Sequence, residues 1–104
     1  DGEMGIRAAR SAGMAVVREV FTIPRVGKIA GVQVREGKAL RNATAKVKRN
    51  GQVIHEGRVS SLKRFTEDVR EVNTGLECGV GIDGLNDVQV DDTLEFYTRE
   101  IVAQ

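Results

Sequence analysis

Few side chains in this sequence could support covalent or acid–base chemistry. The 104 residues include one cysteine, Cys78, and one histidine, His55. A nucleophilic thiol needs a nearby base and a group that orients that base, and the sequence offers no such arrangement around Cys78. A lone histidine or Tyr97 supplies no catalytic set either, and one Cys with one His falls short of the usual zinc ligands. We therefore expect no enzyme, no catalytic residue and no metal site.

The composition indicates one globular domain without a strong charge bias. Apolar residues make up 40% of the chain and charged residues 30%, and 16 basic residues against 15 acidic ones give a net charge of +1. This balance carries no general nucleic-acid signal, so RNA binding would depend on a local basic patch. A single cysteine forms no internal disulfide, and no apolar run approaches the ~20 residues of a membrane span.

The stretch NTGLECGVGI, residues 73–82, places Cys78 among Gly75, Gly79 and Gly81. Glycine weakens a strand interior, and it often marks a bulge or a point where a ligand approaches the backbone. A free buried cysteine is usually a small apolar core residue. Residue types alone therefore favour a core strand with an inert thiol, and a ligand site is the second interpretation.

The surrounding sequence divides into strands and the turns or loops that connect them. Strand composition marks four segments: 16–23, 28–36, 75–82 and 93–103. Turn and loop composition marks 24–27, 37–43 and 83–92. Residues 1–15 show no strand alternation, and we interpret them as a linker, the remnant of a preceding domain, or residues foreign to the native chain. The domain proper is expected over 16–104.

Asn50-Gly51 is the clearest local signal, because this pair favours the type I′ turn of a two-residue hairpin. It predicts a hairpin over 44–57 with Val47 opposite Ile54, both facing the core.

The apolar residues of 58–72 are spaced three or four apart, which is typical of an amphipathic helix. Their neighbours also allow Val59 and Leu62 to end one strand and Val69 and Val72 to start another, so residue types leave this segment open. Six or more short strands at hairpin spacing indicate an all-β barrel or sandwich. A barrel has the advantage of removing exposed sheet edges.

Several strings carry a family resemblance when they are taken in order: VREVF (17–21), GKIAG (27–31), GKALRNATAKVKRNGQVIHEG (37–57), SLKRFTEDVREV (61–72), GLECGVGI (75–82) and DDTLEFY (91–97). Together they resemble the C-terminal domain of bacterial translation initiation factor two. The resemblance implies an all-β fold, a small closed antiparallel β-barrel similar to domain two of elongation factor Tu. It also implies strand, turn and strand over 59–72.

The resemblance implies a role in translation initiation. In this family the module binds the 3′ acceptor end of initiator tRNA, including its formylmethionyl group, and meets the ribosome through the full-length factor. We expect a monomer in the bacterial cytoplasm, with an organellar origin also open, no membrane contact and no cofactor. GTP would be bound by another domain, in agreement with the absence of a G-x-x-x-x-G-K-[ST] motif here. The alternative is a general protein- or ribosome-docking barrel with no formyl-specific recognition.

The resemblance implies a ligand site built from three segments: Gly31 and Val32; Lys63, Arg64 and Phe65; and Glu77, Cys78 and Gly79. The two cations would hold tRNA phosphates, and the aromatic ring would pack or stack. The glycines would let a neutral, formylated amino acid lie against the backbone, with the thiol as a soft neighbour of the methionine sulfur.

Two positions depart from the pattern of the family. Val32 stands where many members have cysteine, which indicates that shape and neutrality, not a thiol, define the slot. Thr66 stands where many members have lysine, so the resemblance puts one phosphate contact in question, and its loss would weaken binding and reduce the salt dependence. Glu77 has two open roles, since its carboxylate would either disfavour wrong partners or attract an unformylated amine.

Overall fold

The computed structural model describes residues 5–25 and 27–102, and it contains strands, turns and loops there but no helix. Within these two ranges there is accordingly no helix that could span a membrane. The strands are β1 (Gly5–Ile23), β2 (Gly27–Leu40), β3 (Thr44–Arg49), β4 (Gln52–Arg64), β5 (Glu67–Asp68), β6 (Glu71–Asn73), β7 (Glu77–Ile82) and β8 (Thr93–Val102).

Six of these strands close into an antiparallel barrel. They follow the order β1-β8-β3-β4-β7-β2, and β1 also pairs with β2, which joins the two ends of the sheet. Short β5 and β6 add to β4 and β2 at the side of the barrel. The predicted all-β fold, a small closed antiparallel β-barrel, is confirmed.

Strand β1 is longer than the sequence predicts. It starts at Gly5, so the expectation that 1–15 lack strand structure is wrong from that residue onward. The physical reason is a close crossing of β1 and β2, where Gly13 lies opposite Gly37. A Cβ on Gly13 would lie 2.4 Å from the Lys38 carbonyl oxygen, so the crossing tolerates no side chain. The small residues that this crossing requires are not typical of strands, so composition does not predict a strand here.

The core is filled by inward-facing side chains of the six barrel strands, together with Val72 of β6 and with Leu85 and Val88 of the 83–92 loop. It is aliphatic apart from Phe96 and Cys78. Val17, Val32, Val47, Leu62 and Leu94 are among its fully buried members. The aliphatic core follows from a composition with only four aromatic residues.

The β3–β4 hairpin has the predicted turn but not the predicted register. Asn50 has φ 54° and Gly51 has φ 81°, as a type I′ turn requires. A bulge then follows, so Val47 pairs with His55 and Ile54 is left exposed. The predicted core pair of Val47 with Ile54 is therefore wrong, because a bulge shifts the register beyond the turn by one residue.

Two further segments resolve predictions about strands and loops. Strand β4 continues to Arg64, and a two-residue turn leads into β5 and then β6, which confirms strand, turn and strand over 59–72. The loop predicted over 37–43 is shorter, because β2 runs on to Leu40. There it pairs with β6, with Lys38 opposite Asn73.

Candidate functional site

An open groove of about 960 Å³ crosses the outer face of the barrel over β1, β2, β7 and β4. All eight residues implied by the family resemblance line it: Gly31, Val32, Lys63, Arg64, Phe65, Glu77, Cys78 and Gly79. The structure therefore brings together three segments that lie far apart in the sequence.

The floor of the groove is a row of four residues that face one another across four strands. Glu19 on β1 pairs with Gly31 on β2, and Gly31 pairs with Gly79 on β7. Gly79 in turn pairs with Lys63 on β4. With strands about 4.8 Å apart, the row spans roughly 14 Å from its acidic to its basic end. The two central glycines leave its middle free of side chains.

A bulge in β1 turns additional residues toward this floor. The register with β2 shifts between Val17 and Glu19, so Arg18 is the extra residue. Val17 stays in the core, whereas Arg18, Glu19 and Phe21 all line the groove. Bulges re-aim side chains in this way next to functional sites. Sequence reasoning missed these three residues, and the only available signal was two consecutive charged residues inside a strand-like run.

Exposed apolar side chains concentrate around the groove. Phe21, Ile23, Phe65 and Leu76 are large apolar residues that remain exposed, and all four line it. The Phe21 ring leans over the floor, since its Cε2 atom lies 3.1 Å from where a Cβ on Gly31 would be. An apolar surface of this kind beside polar groups is typical of a ligand or partner site.

Phe65 is the most prominent member of this rim, with 91% of its surface exposed. It occupies the first position of the two-residue turn between Arg64 and Glu67, with φ 58°. This left-handed conformation costs about 1–2 kcal/mol for a residue with a side chain. The Arg64 guanidinium carbon lies 5.2 Å from the centre of the Phe65 ring, and its Nε donates a hydrogen bond of 3.2 Å to the Glu77 carbonyl. The turn thus presents a flat ring and a cation together.

Cys78 faces the core more than the groove. Side chains alternate along β7, so Glu77 and Gly79 point outward and Cys78 packs inward opposite Val32, with only 6% of its surface exposed. The thiol that the resemblance implies as a soft neighbour of the methionine sulfur therefore offers a ligand little surface. Burial raises the pKa of the Cys78 thiol to about 11, against a smaller lowering by the nearby Arg64 charge. The thiol is thus protonated at neutral pH and is a poor nucleophile.

His55 and Tyr97, the other side chains that the sequence offers for catalysis, have structural partners outside the groove. The His55 Nε2 atom lies 2.9 Å from the Asp83 carbonyl oxygen. The Tyr97 hydroxyl donates to Glu95, and Lys46 lies 4.9 Å above the Tyr97 ring. In the part of the chain that the structure describes, no three His, Cys, Asp or Glu side chains are placed to hold a metal ion.

Charges divide the groove into two ends. Lys63 and Arg64 lie beside Phe65 at the β4 end, and Glu19 lies at the β1 end with Arg18 next to it. Glu77 is the first residue of β7, which lies between these two ends of the groove. Three cations against two carboxylates leave only a small positive excess, so a ligand must gain affinity from apolar and stacking contacts as well as from ion pairing.

Comparison with known proteins identifies the family. No protein-family model matches the chain. Translation initiation factor IF-2 of Treponema denticola is 54% identical over 92 residues, which is 88% of this chain and 10% of that protein. The factor of Caldanaerobacter subterraneus is 53% identical over 92 residues, 88% of this chain and 13% of that protein. That of Geobacter sulfurreducens is 48% identical over 91 residues, 88% of this chain and 10% of that protein.

The chain spans only about a tenth of the length of these relatives. The strand residues that line the groove belong to the region whose motifs carried the resemblance in the sequence. The chain therefore belongs to the family of translation initiation factor IF-2, as a C-terminal segment of the longer factor.

Proposed function

We propose that this domain binds the 3′ acceptor end of initiator tRNA together with its formylmethionyl group. It would do so in the bacterial cytoplasm, as one domain of a larger GTPase that acts in translation initiation, and the full-length factor would meet the ribosome. The observation that carries the proposal is the paired-glycine floor, which ends on one side at Lys63 beside an exposed Phe65.

The floor matches the chemistry of a formylated amino acid. Formylation replaces a cationic α-amine by a neutral amide, and the methionine side chain is apolar. Gly31 and Gly79 leave a shallow neutral surface on which such a group can lie. Phe21 and Ile29 border that surface and supply apolar contacts for the side chain.

The β4 end matches the chemistry of an unpaired RNA end. Single-stranded RNA is bound by stacking its bases on aromatic rings and by pairing its phosphates with cations. Phe65 presents an exposed ring, and Lys63 and Arg64 place two cations beside it. The acceptor end therefore runs from Lys63 toward Glu19, with its phosphates first and its amino acid last.

The proposal is tested by a competition titration at fixed salt. Formylated, acetylated and free methionyl initiator tRNA are compared as competitors for one labelled RNA. We expect the formylated form to compete best, because the two glycines at the middle of the floor offer no compensation for desolvating a charge. Backbone NMR signals of Gly31, Lys63 and Gly79 should shift with the RNA, and shifts confined to remote loops would contradict the groove as the site.

Replacing Lys63 by alanine tests the phosphate contacts. Each phosphate contact on a single strand contributes about 0.7 to the slope of log affinity against log salt concentration. We expect Lys63→Ala to weaken binding and to reduce this slope by about 0.7. Lys38→Ala is the matched control, because Lys38 is a half-exposed lysine paired with Glu71 outside the groove. Equal slopes for both variants would remove Lys63 from the phosphate contacts.

The alternative function is a docking barrel for another domain or for the ribosome. The exposed Phe21, Ile23 and Leu76 favour it, because an apolar rim also fits a protein segment. This function predicts association that is independent of formylation and insensitive to Lys63→Ala. The competition titration therefore separates the two functions.

A further inference from the structure

Glu19 occupies a place in the groove that phosphate binding does not explain. A carboxylate repels phosphates, yet Glu19 ends the glycine row opposite Lys63. Its Cβ lies 3.4 Å from where a Cβ on Gly31 would be, so the side chain stands directly at the edge of the floor. The bulge at Arg18 is what turns Glu19 outward, since regular alternation after the buried Val17 would send it into the core.

The order of groups along an acceptor end determines what meets Glu19. Phosphates held at Lys63 put the terminal nucleoside over the glycine floor and the amino acid beyond it. The row of roughly 14 Å then leaves the amino-acid nitrogen at the Glu19 end. A carboxylate accepts a hydrogen bond from an amide N–H, and it attracts a free ammonium group more strongly through its charge.

We propose that Glu19 receives the amino-acid nitrogen of the bound acceptor end, and that its charge sets how strongly the domain discriminates between a formylated and a free amino group. This inference rests on the proposed function and goes further by naming the residue. The carboxylate partly offsets the preference of the neutral floor for the formylated group, because it favours the cationic alternative.

The test compares two ligands on three proteins. The ligands are cytidylyl-adenosine carrying formylmethionine or methionine through a stable 3′-amide, titrated calorimetrically near neutral pH, where the free amine is largely protonated. The proteins are the unaltered chain, Glu19→Gln and Glu36→Gln. Glu36 is an exposed glutamate on β2 that does not line the groove, so it provides a control matched in charge.

We expect Glu19→Gln to weaken binding of the methionyl ligand about threefold to fivefold, the range of an exposed ion pair. The formylmethionyl ligand should stay within about twofold, because glutamine keeps an oxygen that accepts the amide N–H. Glu36→Gln should change neither affinity. The ratio of the two affinities, not either one alone, is the readout, so a general loss of folding does not imitate the result.

Equal changes for both ligands in Glu19→Gln, or no change for either, would overturn the role of Glu19 while leaving the proposed function intact. If the unaltered chain binds neither ligand, the proposed function itself fails and the role of Glu19 falls with it. A larger loss for the formylmethionyl ligand would also overturn the role of Glu19, because its charge would then favour the formylated group and not the free amine.

Discussion

Two glycines of β7 look equivalent in the sequence and differ in the structure. A Cβ on Gly79 would meet only Ile29 Cγ2 at 3.5 Å and the Lys63 carbonyl at 4.0 Å, which are ordinary contacts. A Cβ on Gly81 would lie 2.5 Å from Ser61 Oγ and 3.0 Å from Ile29 Cδ1. The folded chain has room for a side chain at Gly79, so packing does not explain why that position is glycine.

The Gly79→Ala variant should therefore fold with unchanged or slightly higher stability, because alanine restricts the unfolded chain more than glycine does. Its methyl group would stand on the floor of the groove, and we expect weaker binding of the acceptor-end RNA. Urea denaturation and RNA titration on the same sample measure both effects. Gly57→Ala, outside the groove, is the control, with lower stability because a Cβ there would lie 2.7 Å from the Asp83 backbone oxygen. Unchanged RNA affinity in Gly79→Ala would contradict a binding role, and a loss of stability would instead give packing as the reason for the glycine.

Residue types predicted the members of this site only in part. The resemblance supplied eight residues that the structure places around one groove, and Glu19 and Phe21 were not among them. Composition favoured an inert Cys78, and the burial and raised pKa of its thiol agree with that interpretation. The direction in which a side chain points depends on strand register, which residue identity does not reveal.

Among the elements, the short turn between β4 and β5 shows most clearly a residue that lowers stability while exposing an aromatic ring. Its first position favours glycine, because the backbone there has a positive φ. Phe65 occupies it with φ 58° and an almost fully exposed ring, so the residue gains little from burial in return. Strain kept at an exposed position is typical of functional sites.

Replacing Phe65 by glycine separates these two effects. Relief of the left-handed conformation should leave the free energy of unfolding unchanged or raise it by up to about 1 kcal/mol. Loss of the ring should weaken RNA binding by about 1–3 kcal/mol if one base stacks on it. Denaturant midpoints and RNA titrations measure the two quantities. Phe65→Gly with normal RNA affinity would show that no base stacks on the ring.

The sequence predicted the strands and turns themselves better than the registers in which the strands pair. The Asn50-Gly51 turn and the strand composition of 93–103 are local signals, and the structure has the turn and a strand over Thr93–Val102. The bulges at Arg18 and Ile54 depend on how two paired strands twist and pack against each other, even where a short turn joins them. A sequence read one segment at a time contains no information on that geometry.

At the scale of the whole molecule, the loop 83–92 covers one end of the barrel. Leu85 and Val88 reach into the core from it. Asp92, which is 3% exposed, accepts two hydrogen bonds of 2.9 Å from the Arg49 guanidinium and one of 2.8 Å from the Gln89 N–H. Hydrogen bonding from Arg49 lowers the pKa of the Asp92 carboxyl below its usual value. The loop is thus held to β3 by a charged pair.

This pair makes the stability of the barrel dependent on acid. Because the folded-state pKa of Asp92 is depressed, its contribution is fully present above the unfolded pKa of about 3.9 and is lost as the pH falls through the folded value. We expect Asp92→Asn to lower the urea midpoint at neutral pH and to show a smaller further loss in acid. Asp91→Asn, at the exposed neighbouring position, should retain the full acid dependence. Identical acid curves for both variants would contradict this role of Asp92.

Closure of the barrel also restricts how any ligand can be held in the groove. Gly31 and Gly79 lie in strands with neighbours on both sides, so their N–H groups are already committed to the sheet. A bound chain cannot add itself as a further strand, because the face that it contacts has no free edge. Recognition must therefore come from side chains and from the bulged Arg18 peptide, where the ladder is interrupted. Such a surface can change its ligand preference through a few side chains while the barrel beneath stays the same.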